Sequence, residues 1–231
     1  MDVLLIWIGF MLTIEDALAV ISRLIQKSRA AGELIDNVIV MVGGTALAAH
    51  GVRALSHDID LFVKTFSEDT VFELEHELKQ VHGETFRLDV TATENLWGFI
   101  LVRDIDENSP VFRNITIDGQ AFTIRMLSIE TLFLLKLSAD RQKDHDDLPL
   151  LASRTSPDAL IKRFNVISKW HGNRPALAGY ADEFVRRLTT FYAVSAHDVI
   201  RQLQLPRFIE DMLWESYYPS EAPDNGAPLT P

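Results

Sequence analysis

Residues Gly43–Val63 read GGTALAAHGVRALSHDIDLFV, and the end of this stretch decides the fold. Strand side chains alternate between faces. With His57–Lys64 read as a strand, Asp58, Asp60 and Phe62 share one face, and Ile59, Leu61 and Val63 share the other. The apolar set can enter a core. That leaves two carboxylates side by side, about 7 Å apart along the strand. Like charges this close repel, and a hard divalent cation held by oxygen ligands, Mg²⁺ or Mn²⁺, relieves the repulsion. The start of the stretch answers to the same chemistry. A Gly43-Gly44 turn lets backbone come close to a phosphate. A short helix over Thr45–Gly51 would aim its first N–H groups at that anion, with the Thr45 hydroxyl beside them.

Working outward, VIVMV (38–42) is an apolar run of the kind found in a buried central strand. Upstream, Thr13 with Glu15 and Asp16 predicts a helix start. Leu18, Ile21, Leu24 and Ile25 supply its apolar stripe, and Gly32 its end. Downstream, Ser67 caps a helix with Val71, Leu74, Leu78 and Val81 on one face and Gly83 as its stop. A strand is read over 85–92 and further strands over 96–125, with a hairpin at Asp118-Gly119. From Leu127 the chain reads as helical, punctuated by Pro149, Pro157, Pro175 and Pro206. The expected class is α/β (α+β): a mixed-sheet domain over 13–126, then a helical domain over 127–218 that completes a cleft. The Pro-rich tail 219–231 is expected to be disordered. The apolar run of residues 1–12 is too short to span a membrane and lacks signal-peptide features. It reads as an extra strand or packing arm, or as the product of a misplaced start ahead of Met11.

A third carboxylate has a similar setting. Asp89 in RLDV lies between Leu88 and Val90, which point to the opposite face. If its strand pairs with the first, three carboxylates converge, enough for two cations or for one cation and a general base. Glu84 and Glu94 are alternatives without the apolar flanks. Lys136 sits in FLLKL, where a lysine is costly unless it faces a cleft, an anion or, by snorkelling, solvent. On one continuous helix Lys136, Asp140, Lys143 and Asp147 would form a single stripe. His57 points away from Asp58, and His145 reads as a surface histidine. Trp97, Trp170 and Trp214 read as core or interface residues, because no basic residues interleave around them.

The ordered pattern Gly-Gly, Asp-x-Asp and a later apolar-Asp-apolar strand resembles the nucleotidyltransferase superfamily with the polymerase-β-like fold. Within it the stretch looks most like the AbiEii-type toxins of type IV toxin–antitoxin systems and their minimal nucleotidyltransferase relatives. Arg53, Ser56, Asp58 and Asp60 fall on that group's Arg-x-x-Ser/Thr-x-Asp-x-Asp pattern. LSIETLFLLKLSADRQKDHDDLPLL is similar to its second block, through Lys136, Lys143, Asp144, Asp147 and Leu148, although Leu-Ser stands where a proline often precedes the Glu. The resemblance covers roughly residues 37–152. It implies transfer of NMP from an NTP to an acceptor, an RNA or tRNA end or a protein, by a toxin with a cognate antitoxin. Asp58, Asp60 and Asp89 would hold Mg²⁺ or Mn²⁺, and Asp58, Asp60, Asp89 and Lys136 would be the catalytic residues. Gly43, Gly44, Thr45, Arg53, Ser56, Lys136, Lys143, Asp144 and Asp147 would bind the nucleotide. Two alternatives stay open: an aminoglycoside or lincosamide nucleotidyltransferase, and a non-catalytic antitoxin or binding module of the same fold.

Composition bounds these readings. The 231 residues are 47% hydrophobic and contain no cysteine, which excludes disulfides and thiolate metal sites and fits a cytoplasmic protein. The net charge is −11, and residues 1–126 hold 10 Lys/Arg against 19 Asp/Glu. Residues 127–218 hold 12 of each. A general nucleic-acid binder would be basic, so any RNA contact is expected on the C-terminal half.

Overall fold

Alternating burial along β2 (Asp58–Phe62) sets the geometry of the first half of the chain. Ile59 and Leu61 are fully buried, while Asp58 and Asp60 on the other face are half-exposed. The computed structural model describes residues 12–54, 58–92, 100, 102–139, 141–171 and 175–219. Among these, ten helices and five strands divide into two compact units. One is formed by the described residues of 1–94 and 105–132, the other by those of 95–104 and 133–231. A short internal segment groups with the helical unit. The chain is mixed α/β with a mixed sheet.

In the first unit the five strands lie in the order β3-β2-β1-β5-β4. These are β1 (Val38–Met41), β2, β3 (Arg87–Thr91), β4 (Val111–Ile117) and β5 (Gln120–Met126). β1 is antiparallel to β2 and parallel to β5, and β2 is parallel to β3. A hairpin through Asp118 and Gly119, both at positive φ, joins β4 to β5. β1 is paired on both sides, which is why its residues are apolar without alternation. Helix α1 (Ile14–Ala30) opens with a capping box between Thr13 and Asp16. It buries Leu18, Ile21, Leu24 and Ile25 as expected. Helix α3 (Glu68–His82) buries Thr70, Leu74 and Leu78, but Val81 is exposed, so the apolar face ends a turn early. Helix α2 (Gly43–Ala49) begins at Gly43, two residues before its expected start. The segment expected to hold only strands contains helix α4 (Val102–Glu107) before the hairpin.

The second unit is helical, as the sequence suggests. α5 (Ile129–Leu137) leads through a short connection to α6 (Gln142–Ala152), α7 (Pro157–His171), α8 (Ala176–Tyr192), α9 (Ala196–Gln202) and α10 (Arg207–Tyr217). Pro149 lies inside α6 without ending it. An aromatic column forms the core. Phe164 stacks on Phe184 with centroids 4.4 Å apart and on Tyr180 at 5.5 Å, and Phe133 meets Phe184 edge-on at 6.5 Å. The Tyr180 hydroxyl donates to the Leu134 carbonyl at 2.7 Å, so the one polar atom of the column is satisfied. Among the described residues no helix is long and apolar enough to cross a membrane. The expectations for residues 1–11, Ser56, His57, Glu94, Trp97, Asp140 and the tail from Ser220 lie outside the described residues.

Phe184→Ala removes the ring shared by Phe164 and Phe133. We expect it to lower the stability of the helical unit by about 3–5 kcal/mol. Urea denaturation followed by circular dichroism would measure this; a loss under 1 kcal/mol would show that the column is not the core's main support.

Candidate active site

Pairing register brings the carboxylates of β2 and β3 to one face. Asp60 is directly opposite Asp89 and Asp58 opposite Arg87 in the parallel pair. Partners in a parallel ladder share a face, so Asp58, Asp60 and Asp89 lie on one side, with Ile59, Leu61 and Leu88 buried on the other. Asp89 is exposed and Asp60 half-exposed. Glu84 lies before the strand, outside this register. Among the described residues no group of three His, Cys, Asp or Glu side chains is close enough to hold a metal ion. The three aspartates share a face but do not form a closed cage. Mg²⁺ is commonly held by one or two carboxylates, with substrate phosphates and water completing its shell. Asp58 and Asp60 fit that lesser requirement.

The Gly-Gly-Thr sequence folds against Asp60. The Gly44 N–H donates to Asp60 Oδ2 at 2.7 Å, and the Asp60 N–H donates to Thr45 Oγ1 at 2.8 Å. Gly43 has φ +48°, and a Cβ there would stand 2.5 Å from Asp60 Oδ2. A Cβ on Gly44 would meet Asp60 Oδ2 at 3.3 Å and the Arg53 guanidinium at 3.2 Å. Gly43 is therefore required by its positive φ and the approach of Asp60, and Gly44 leaves little room for a side chain. This corrects two expectations. The Gly44 amide is engaged by a carboxylate rather than open to phosphate. Thr45 is fully buried and spends its hydroxyl on the β2 backbone, so it positions Asp60 instead of presenting a ligand.

The second block also differs from expectation, and belongs to the helical unit. α5 stops at Leu137 and α6 starts at Gln142, so the stripe Lys136–Asp140–Lys143–Asp147 does not exist on one helix. Instead Lys136 is buried and pairs with Asp144 Oδ1 at 2.5 Å and Asp147 Oδ2 at 2.8 Å, both on the inner face of α6. Arg141 Nε reaches Asp144 Oδ2 at 2.7 Å. Burial pushes the Asp144 carboxyl up, but the hydrogen bond and charge of Lys136, then those of Arg141, outweigh it and hold it below the ordinary carboxylate value. Lys136, Asp144 and Asp147 thus form an internal ion cluster joining two helices. Lys143 points outward and is exposed, and Leu148 is core.

Sequence reading missed Arg141, although an arginine three residues before an aspartate at a helix start is a readable pairing signal. It also missed the setting of His145. Its Nε2 lies 2.8 Å from the Ala139 carbonyl, and Arg187 Nη2 donates to its Nδ1 at 2.8 Å. His145 thus bridges Arg187 and the Ala139 carbonyl and ties down the α5–α6 connection. No local signal links His145 to Arg187. Nor does any link Asp104 to Arg163, a buried pair at 3.0 Å. Trp214 packs edge-on against His197, whereas Trp170 is mostly exposed. No protein-family model, curated protein or solved structure matches the chain.

Removing the Lys136 charge leaves two buried carboxylates facing each other. Lys136→Met should cost about 3–5 kcal/mol at neutral pH. The depressed Asp144 value stabilises the native protein fully above the unfolded value of about 3.9, and that contribution disappears as pH falls through the lower folded value. The wild type should therefore lose stability on acidification more steeply than Lys136→Met. Thermal melts across pH would test this, and parallel curves would refute the coupling.

Proposed function

We propose that this chain is a metal-dependent nucleotidyltransferase. The observation that carries the reading is the clasp of Gly43-Gly44-Thr45 on Asp60, which sits on one face with Asp58 and in register with Asp89. In the proposed reaction an acceptor oxygen bonds to the α-phosphorus of an NTP. The bond from that phosphorus to the bridging oxygen of the β-phosphate breaks, and pyrophosphate leaves with its electron pair. Asp58 and Asp60 would hold the divalent cation, which supplies charge neutralisation on the phosphate oxygens. Asp89, exposed on the same face, takes the acceptor proton. Arg53, beside Gly44, is the cation of this unit best placed to offset the triphosphate. Lys136 has no part in this reading, because its charge is spent internally. The reading extends to a bacterial toxin acting on an RNA end or a protein, through the resemblance of the Gly43–Val63 and Leu127–Leu151 stretches to that group. The engaged Gly44 amide favours one second reading, a non-catalytic chain in which Asp60 is only a structural hub.

Incubation with NTPs labelled at the α-phosphate, Mg²⁺ and total tRNA should move label to RNA. Asp58→Ala/Asp60→Ala should reduce transfer by more than about 100-fold. Label on protein would keep the transferase and replace its acceptor; no transfer and no calorimetric Mg²⁺–NTP binding would leave the structural hub. Gly43→Ala should displace the Asp60 carboxylate and weaken Mn²⁺ binding, read by paramagnetic broadening, while the fold is retained. Unchanged Mn²⁺ binding would remove Asp60 from the metal site.

A further inference from the structure

Helix α7 presents an outward stripe of exposed side chains. Lys162, Val166, Lys169 and Trp170 fall at i, i+4, i+7 and i+8, and all four are exposed, Trp170 by 56%. Their neighbours Ile161, Phe164, Ile167 and Ser168 face inward. Among the described residues neither Lys162 nor Lys169 makes an ion pair. Elsewhere the pattern is the opposite: Arg23, Lys27, Lys79, Arg113 and Arg187 all pair with carboxylates. The Arg103 guanidinium lies 3.3 Å from the Trp170 ring centroid, which fixes the indole and adds a third positive charge.

Beside the stripe runs a groove of about 390 Å³ between α7 and the end of α9, with Ile161, Lys162, Val166 and Lys169 on one wall, Asp158 at its N-terminal end, and Gln202 and Gln204 on the other wall. Its floor is rigid. The buried Asn165 carboxamide donates to the Gln202 carbonyl at 2.8 Å and accepts from the Gln204 N–H at 2.7 Å, and Ser168 donates to the Gln204 carbonyl at 3.2 Å. The two walls are thus tied together before anything binds, which lowers the ordering cost of association.

We propose that this face docks an acidic amphipathic helix of a partner protein. The spacing carries the choice of occupant. Lys162 and Lys169 stand about 10 Å apart along the helix axis, the separation of carboxylates seven residues apart on a second helix. Apolar side chains four and eight residues along that helix would meet Val166 and Trp170, as in helix-in-groove recognition. Trp and Arg are the residue types that most often anchor such contacts. Three cations are too few for a nucleic-acid surface on a chain of net charge −11. The inference is independent of the catalytic reading, since none of these residues belongs to that site.

The test uses the full chain and two labelled peptides of about 15 residues. One carries Glu at i and i+7 with Leu at i+4 and i+8; the other carries Lys in place of Glu. Fluorescence anisotropy should show saturable binding of the acidic peptide alone. K162E/K169E should reverse the preference, and W170A should weaken acidic-peptide binding by about tenfold or more. Unaltered thermal melts would show that the variants fold. Equal binding of both peptides, no binding of either, or no effect of the charge swap would overturn the proposal. So would an oligo-uridine strand that binds tighter than the acidic peptide and loses affinity in K162E/K169E, or sedimentation showing that Trp170 lies in a dimer of this chain.

Discussion

The first unit depends on one constraint: the carboxylate and the amide of Asp60 are both held by two consecutive residues, Gly44 and Thr45, in the first turn of α2. The Gly44 N–H takes the carboxylate, and the Thr45 hydroxyl takes the backbone N–H. Because Thr45 is fully buried, its hydroxyl has no competing water. An apolar replacement would leave the Asp60 amide without its partner. These bonds fix which residues of β2 face outward, and pairing to β3 passes that phase to Asp89. A slip of one residue would bury the aspartates and expose Ile59 and Leu61.

Much of this was legible because it rests on periodicity. The alternation of Asp58–Phe62, the apolar run of β1 and the capped starts of α1 and α3 are local signals, and each appears as a local element. The site was legible as a face and illegible as a network. That Asp58 and Asp60 share a side follows from strand phase, and Asp89 joins them through the β2–β3 register. That Gly44 spends its amide on Asp60 does not, because a glycine pair reads the same whether a phosphate or a carboxylate lies against it. Lys136 shows the same limit. Its apolar neighbours announce a lysine with an anionic partner, but the break between Leu137 and Gln142, which turns Asp144 and Asp147 toward it, depends on tertiary packing.

The two units use charge in opposite ways. In the first, carboxylates are gathered on a surface face with Arg53 and Arg87 close by. In the second, charges are drawn inside in matched sets: Lys136 with Asp144 and Asp147, and Arg163 with Asp104. Matched internal charges contribute little net stability, but each lost partner is expensive. They therefore fix which helix faces meet more firmly than they hold the unit together.

The strand order has a consequence for biogenesis. β1 pairs with β2 through a short stretch of chain, but its other neighbour, β5, comes far later, after α3, β3, α4 and β4. During synthesis from the N-terminus, Val38–Met41 would leave the ribosome long before Thr123–Met126 exists to cover it. The nascent chain then carries an apolar, hydrogen-bonding edge in what becomes the middle of the sheet. Non-local pairing of this kind is slow, and open edges recruit other chains. A chaperone that shields the β1 edge until the β4–β5 hairpin arrives would thus act on yield, without touching the finished fold.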